Sequence, residues 1–271
     1  MEPFLFACLL HLAPHIPDGS ILDAGAHEGE STVLLKSSFR NRTVVAIEPI
    51  TKNVNAIRQK LGGLVGSHLV SVSSNISNTT AEAIVVRAAL GGNDDNQHIG
   101  SYPVNLERRK RPQIGLLRQY KWQNQAKLAR VEYPLFTVDA LFGNKHNITR
   151  IGLAHLDLEG AELDVLGGAQ QTIQRDRPWL TLETFPRSNR SRHKLLVTHA
   201  QETIGYHLQI VDEVCGFPKD CRNMIAIPLE QYTATVQHLL QDPPCAMTLP
   251  LKHQGKPPPK RKFLRYEYIH Q

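Results

Sequence analysis

Apolar-rich runs at 20–24, 43–48, 83–90, 151–157 and 178–183 alternate along the chain with segments in which apolar positions return at helical intervals. A strand buried on both faces reads as a near-continuous apolar run, and strands alternating with helices form a parallel sheet covered on both sides. The pattern therefore predicts an α/β, doubly wound fold. One helix is expected over 160–174, where Leu163, Leu166, Ala169 and Ile173 make a single inward stripe. Two further runs, Leu208 to Val211 and Met224 to Ile227, are joined through the segment between Cys215 and Cys221 and predict an antiparallel hairpin at the sheet edge. Phe4, Leu5, Cys8, Leu9 and Leu12 recur at helical spacing and predict a short amphipathic helix within residues 1–18.

Two stretches depart from this pattern. Residues 91–135 are polar and basic, with Arg108, Arg109, Lys110 and Arg111 followed by Arg118, Tyr120, Lys121 and Trp122. The stretch is too long for a simple connection and is read as an insertion, a lid or a small hairpin with loops. Two roles stay open for it: a solvated surface, or a gate for an anionic or sugar-bearing substrate in which Tyr120 or Trp122 stacks. Residues 251–271 form a basic, proline-rich tail in which Pro257, Pro258 and Pro259 preclude a helix. The remainder, 1–250, is read as one domain, a size that suits the 41% hydrophobic content.

A net charge of +6 favours acidic partners without naming one. The apolar run from Phe4 to Ala13 contains His11 and falls short of the roughly 20 residues a membrane span needs. Its leading residues, Glu2 and Pro3, lack the basic character of a signal peptide. Cys8, Cys215, Cys221 and Cys245 have no zinc-like spacing, so no metal is assigned. Cys215 and Cys221 could close a small disulfide loop or stay reduced. The cytoplasm is the leading expectation for compartment. The sequons at Asn41, Asn75, Asn78, Asn147 and Asn189, together with that cysteine pair, keep a secretory lumen as the alternative.

The richest chemistry lies in Ile21-Leu22-Asp23-Ala24-Gly25-Ala26-His27-Glu28-Gly29, a strand breaking into a glycine-punctuated turn ahead of a helix. Its Gly-x-x-x-Gly spacing is one glycine short of the dinucleotide fingerprint, and the next strand ends in Glu48, an acid suited to a ribose diol. A pyrophosphate here would meet Asp23, Glu28 and Glu30. Like charges about 4 Å apart repel by roughly 4 kcal/mol at an effective dielectric of about 20, so the turn suits an ammonium better. S-adenosylmethionine carries a sulfonium and an ammonium and no phosphate. In this reading Asp23 faces the amino group, Gly25 and Gly29 allow close backbone approach, and Glu48 accepts both ribose hydroxyls.

The turn, Ala46-Ile47-Glu48-Pro49, Ala88-Ala89-Leu90, Thr137-Val138-Asp139-Ala140-Leu141 and Leu156-Asp157-Leu158-Glu159-Gly160-Ala161-Glu162 follow one another in an order that resembles the FkbM-type methyltransferases. The resemblance covers roughly residues 20 to 185 and includes Glu183 after the strand beginning at Trp179. It implies a Rossmann-like class I fold with a mostly parallel seven-stranded sheet, and S-adenosylmethionine-dependent methyl transfer, usually to oxygen. Cofactor contacts are then expected from Asp23, Gly25, His27, Gly29, Glu48, Ala89 and Asp157, and substrate contacts from Glu183, Tyr120 and Trp122. Two positions depart from the family: His27 where Asn is frequent, and His155 where Lys is common before the Asp-x-Glu-Gly motif.

Asp23, Glu48, Asp157 and Glu183 all fall at carboxyl ends of strands, where doubly wound folds place their ligands. Asp157 could hold the acceptor or act as its base. Glu159 divides between catalysis and capping the helix after it, and His155 reads as a core histidine. Asp242-Pro243-Pro244-Cys245 resembles the motif of enzymes that methylate base amino groups, but it lies far from the fourth strand that motif must follow. The leading expectation is O-methylation of a small-molecule or glycan acceptor, with no divalent metal indicated. Competing readings are an RNA ribose methyltransferase, supported by charge alone and by no motif, and a non-catalytic cofactor-binding or interaction protein, motivated by the two histidines.

Overall fold

The computed structural model describes residues 1–66, 69–72, 82–92, 99–105, 128–142, 150–215, 221–245 and 248–250. Tyr120, Trp122, the basic run at 108–111, the tail 251–271 and the sequons at Asn75, Asn78 and Asn147 lie outside those residues. The main sheet runs, in spatial order, through β3 (Leu69–Val72), β4 (Ala83–Val86), β2 (Val44–Ile47), β1 (Ser20–Ala24), β8 (Ile151–Leu156), β9 (Trp179–Thr184), β11 (Arg222–Pro228), β10 (Tyr206–Val214) and β12 (Thr248–Pro250). Pairing is parallel from β3 to β9 and antiparallel from β9 to β12. The seven strands legible in the sequence form the middle of this sheet, and β3 and β12 add one short strand at each edge.

Three apolar clusters cover the two faces. On one face, Ile21, Leu153, Trp179, Ile225 and Ile227 pack under α1 (Pro3–His11), α2 (Glu30–Ser38) and α8 (Ala234–Leu239). On the other, Leu22, Leu156, Leu180, Leu182 and Met224 meet α4 (Val138–Phe142), α5 (Glu162–Gly167), α6 (Gln170–Asp176) and α7 (Arg190–Thr198). Helix α3 (Thr51–Val65) sets Val54, Ile57, Leu61 and Val65, a helical spacing, on Ala46, Ala83 and Val85. Helix α1 forms where the apolar spacing predicts, with Leu5, Cys8 and Leu9 buried. Its free N–H groups are met from a distance: the Glu213 carboxylate on β10 accepts from Phe4 and Leu5 at 2.9 and 3.0 Å.

Two expected elements divide. The helix expected over 160–174 is two, α5 and α6, although Leu166, Ala169 and Ile173 remain buried as its stripe requires. Gly168 breaks it: a Cβ there would lie 2.3 Å from the Gly91 oxygen, so the two backbones touch. Asp139 then caps the restart, accepting from the N–H groups of Gln171 and Thr172 at 2.9 and 2.8 Å. The run at 83–90 also splits. It leaves the main sheet after Val86, and β5 (Ala89–Leu90) joins a smaller sheet with β7 (Leu128–Phe136) and β6 (Ile99–Asn105), the last two antiparallel.

Two disulfides link Cys215 to Cys221 and Cys8 to Cys245, with Cα separations of 5.0 and 4.8 Å. The second joins residues 237 positions apart, and nothing in the sequence pairs them. Among the described residues no helix is long and apolar enough to cross a membrane.

Because the Cys8–Cys245 link ties α1 to a distant segment, the Cys8→Ser, Cys245→Ser double variant is expected to lose about 2–5 kcal/mol of stability. Denaturant unfolding checks this, and mapping of peptides under non-reducing conditions checks both linkages.

Candidate functional site

The glycine turn is built by backbone shape. Gly25 and Gly29 sit at φ 83° and 88°, in the left-handed region, and Gly29 caps α2. A Cβ on Gly25 would stand 1.9 Å from the Asp157 backbone oxygen, so the turn lies directly against the tip of β8. His27 shares that conformation at φ 49°. Asn, Asp and His are the residues other than glycine most often found there, which accounts physically for histidine at this position.

The His27 N–H donates to Glu48 Oε2 at 3.0 Å, while Glu48 Oε1 accepts from Ile50 N–H at 2.8 Å and from the Asn53 amide at 3.2 Å. A carboxylate offers about four lone-pair sites, so one remains on Oε2. Oε2, which meets one of these three donors among the described residues, is the more open oxygen for a ligand hydroxyl. Burial pushes Glu48 up to about 7, against the pull of its three N–H donors. Ala89 lies in β5, three residues beyond the end of β4. Glu30 is neutralised by Lys60 at 2.9 Å, so the repulsion of a phosphate rests on Asp23 and Glu28.

Two polar rows cross the carboxyl ends of the strands on the α1 and α2 face. In the lower row Asp23, His155 and Thr181 are successive Cα partners on β1, β8 and β9. Thr32 Oγ1 on α2 donates to Asp23 Oδ2 at 2.5 Å, leaving Asp23 Oδ1 buried without a partner. Burial raises Asp23 to about 6 and holds His155 neutral, down at about 3. Two residues further along the strands, on the same face, stand Asp157, Glu183 and Asn223, with Glu183 and Asn223 in register on β9 and β11. Asp157 and Glu183 stand together at the tips of β8 and β9. Burial raises both, and their mutual interaction lowers Asp157 while raising Glu183. The negative charges of Glu2 and Glu159 raise Asp157 further, and that of Asp157 raises Glu183.

The Asp157 to Glu162 loop is held by one buried acid that the sequence reading left without a role. Glu162 Oε1 accepts from the N–H groups of Leu158 and Gly160 at 2.9 and 3.1 Å. Burial pushes Glu162 up to about 7. Helix α5 begins at Glu162 rather than near Gly160, and no side chain caps it, so the capping role weighed for Glu159 is not filled. Glu159 instead adopts φ 53°, and its N–H donates to Glu183 Oε2 at 3.0 Å.

Past Glu183 opens a small cleft lined by Thr184, Asn189, Arg192 and His193. Arg192 pairs with Asp164 at 3.0 Å, and the Arg192 Nε is buried without a partner. On the other side, Cys221 Sγ lies 2.9 Å from Glu183 Oε1. Glu183, Cys215 and Cys221 present ligand-type atoms within 4.8 Å of one another, but both sulfurs are engaged in the disulfide and offer no thiolate. The structure thus gathers Asp23, Gly25, Asp157, Glu159 and Glu183 around one crevice, with Glu48 across the turn. Thr32, Arg192 and His193 carried no sequence signal of their own, since each acquires its role from a partner on another element.

The profile of the Methyltransferase FkbM domain matches residues 23–218, from Asp23 into the hairpin after β10. The chain belongs to the FkbM methyltransferase family. This FkbM domain is 25% identical over 181 residues to Methyltransferase 1 of Beauveria bassiana (strain ARSEF 2860), a match covering 62% of this chain and 64% of that protein. Its fold is similar to that of methyltransferase FkbM from Methylobacillus flagellatus KT, with a TM-score of 0.50 at 16% identity over 83% of this chain and 48% of that one. The chain therefore spans less than two thirds of the length of either relative.

Two outcomes follow from the geometry of the site. Gly25→Ala forces a side chain into the Asp157 backbone at a left-handed position and is expected to cost at least about 1–2 kcal/mol, measured by thermal unfolding. The pH dependence follows from the buried acids. Asp23, Glu48 and Glu162 have folded values of about 6, 7 and 7, above their ordinary 3.8, 4.5 and 4.5. Such groups contribute stability that is complete below the unfolded value and lost as pH rises through the folded one. His155, lowered by burial, acts in the opposite sense but is outnumbered. Calorimetry of the ligand-free protein is expected to show a higher Tm at pH 5 than at pH 8.

Proposed function

We propose that this FkbM methyltransferase uses S-adenosylmethionine to methylate oxygen on a hydroxyl-bearing small molecule or glycan. The observation that carries the reading is the pairing of two acids, Asp157 and Glu183, at the tips of β8 and β9, set against the glycine turn whose Asp23 keeps one buried oxygen open. That open oxygen fits an ammonium donor, and the lone-pair site left on Glu48 Oε2 fits a ribose hydroxyl. S-adenosylmethionine, when bound, supplies a methyl group on a sulfonium.

The chain's own residues do the rest. Glu183, raised by burial and by the Asp157 charge, holds its proton, which leaves Asp157 as the ionised partner able to take the proton from an acceptor hydroxyl. Glu159 N–H and the disulfide at Cys221 fix the Glu183 carboxyl between them. The cleft beside Glu183 presents the Asn189 amide next to Thr184 and His193, which hydrogen-bond to each other, and its walls at Leu163, Phe185 and Leu196 are apolar. Tyr120 and Trp122 stay in this reading as stacking surfaces for the acceptor. Since all four cysteines are used in disulfides, an oxidising lumen is the compartment this reading favours over the cytoplasm.

Titration with S-adenosylmethionine and S-adenosylhomocysteine by calorimetry tests the cofactor. Micromolar binding is expected for the wild type and its loss in Asp23→Ala and Glu48→Ala, whereas a folded wild type that binds neither compound overturns the reading. Asp157→Asn is expected, at saturating cofactor, to lower methyl transfer to a hydroxylated acceptor by about 10²–10⁴.

A further inference from the structure

Two fully buried polar atoms stand on adjacent strands without hydrogen-bond partners: Asp23 Oδ1 and His155 Nε2. Their residues are each 1% exposed and are Cα partners across the parallel pair β1 and β8. Side chains at such positions share one face and rise about 4.8 Å apart, the spacing of neighbouring strands. The other polar atom of each is already fixed. Asp23 Oδ2 is held by Thr32 from α2, and His155 Nδ1 lies 2.6 Å from the hydroxyl of Thr181 on β9.

The two loose ends are chemically complementary. A neutral imidazole carries one N–H and one bare nitrogen. The arrangement that satisfies every one of these groups has Thr181 donating to Nδ1 and the hydrogen on Nε2, which makes the unpartnered imidazole atom a donor toward the unpartnered carboxylate atom on the next strand. Leaving either unsatisfied in the interior costs about 1–3 kcal/mol. A single water with partners on both sides removes both penalties.

We propose that His155 is a positioning residue of the cofactor site: its Nε2–H, through one buried water, holds Asp23 Oδ1 so that the remaining lone pair of that oxygen faces the crevice. The row Thr32, Asp23, water, His155, Thr181 then forms a chain of hydrogen bonds from α2 across β1 and β8 to β9, and the carboxylate that meets the cofactor ammonium is clamped at both oxygens. Histidine at this strand position, first read as a core residue, acquires a reason to be polar. The inference rests on the S-adenosylmethionine reading for its consequence, and on the apo structure alone for its hydrogen bonds.

The test compares His155→Leu, which removes the donor, with His155→Gln, which retains one. Calorimetric Kd for S-adenosylhomocysteine is expected to weaken tenfold or more in the leucine variant and to stay within threefold of wild type in the glutamine variant. Equal affinity in all three proteins, or equal loss in both variants, overturns the positioning role, the second pattern being what a merely structural histidine would give. In parallel, ¹⁵N chemical shifts of the imidazole in the ligand-free wild type are expected to show protonation at Nε2, and the Nδ1–H form overturns the proposal whatever binds. A wild type with the Nε2–H form that binds no cofactor sinks the cofactor reading and, with it, the consequence assigned to His155, while leaving the hydrogen-bond row intact.

Discussion

The N–H of Asp157 donates to the carbonyl of Ala24 at 3.0 Å, and the site depends on this bond. It continues the β1 to β8 ladder one residue beyond the last paired strand position, so that the tip of β8 is pinned against the start of the glycine turn. The sheet reverses its order at this junction, with β2, β4 and β3 on one side and β9 and the hairpin on the other. Crossover connections leave a crevice at such a point because the chains depart in opposite directions above it. The bond requires Gly25, since any side chain there would displace the Asp157 carbonyl group.

Around this junction lies an unusual density of buried acid, and its members differ in how they are satisfied. Glu162 has both of its near backbone N–H donors within its own loop, so its charge is spent on holding the main chain in shape. Asp139 and Glu213, half-buried and set away from this junction, likewise serve helix ends. Asp23 and the Asp157–Glu183 pair are different. Asp23 has an oxygen with no partner, and Asp157 and Glu183 set two acids side by side with one backbone N–H, that of Glu159, donated to Glu183. A buried carboxyl left in that condition is costly to folding, and the cost is recovered only when a cationic or proton-bearing ligand arrives. The division between structural and functional acids is therefore one of hydrogen-bond completion rather than of burial.

The disulfide at Cys215 and Cys221 extends the same reasoning to the hairpin. Cys221 is fully buried beside Glu183, so a covalent closure of the β10 to β11 turn also bounds the space in which that carboxyl can move. The Cys8 to Cys245 link secures the α1 face, under which the lower polar row lies.

What the sequence by itself determined is local and periodic. Continuous apolar runs specified seven strands, helical spacing specified α1, and the Gly-x-x-x-Gly turn with Glu48 placed the crevice, because burial on two faces and left-handed backbone leave direct marks on residue type. The same logic misjudged residues 160–174, where the apolar stripe was right but the approach of Gly91 to Gly168 broke the helix, a contact between residues far apart in sequence. Only the tertiary structure decided that Asp157 stands against Glu183, that three N–H donors converge on Glu48, that Cys8 meets Cys245, and that His155 stands beside an unsatisfied Asp23. Each of these is a relation between two elements, fixed by register and crossing geometry, and a one-dimensional pattern carries no record of which strand will lie next to which.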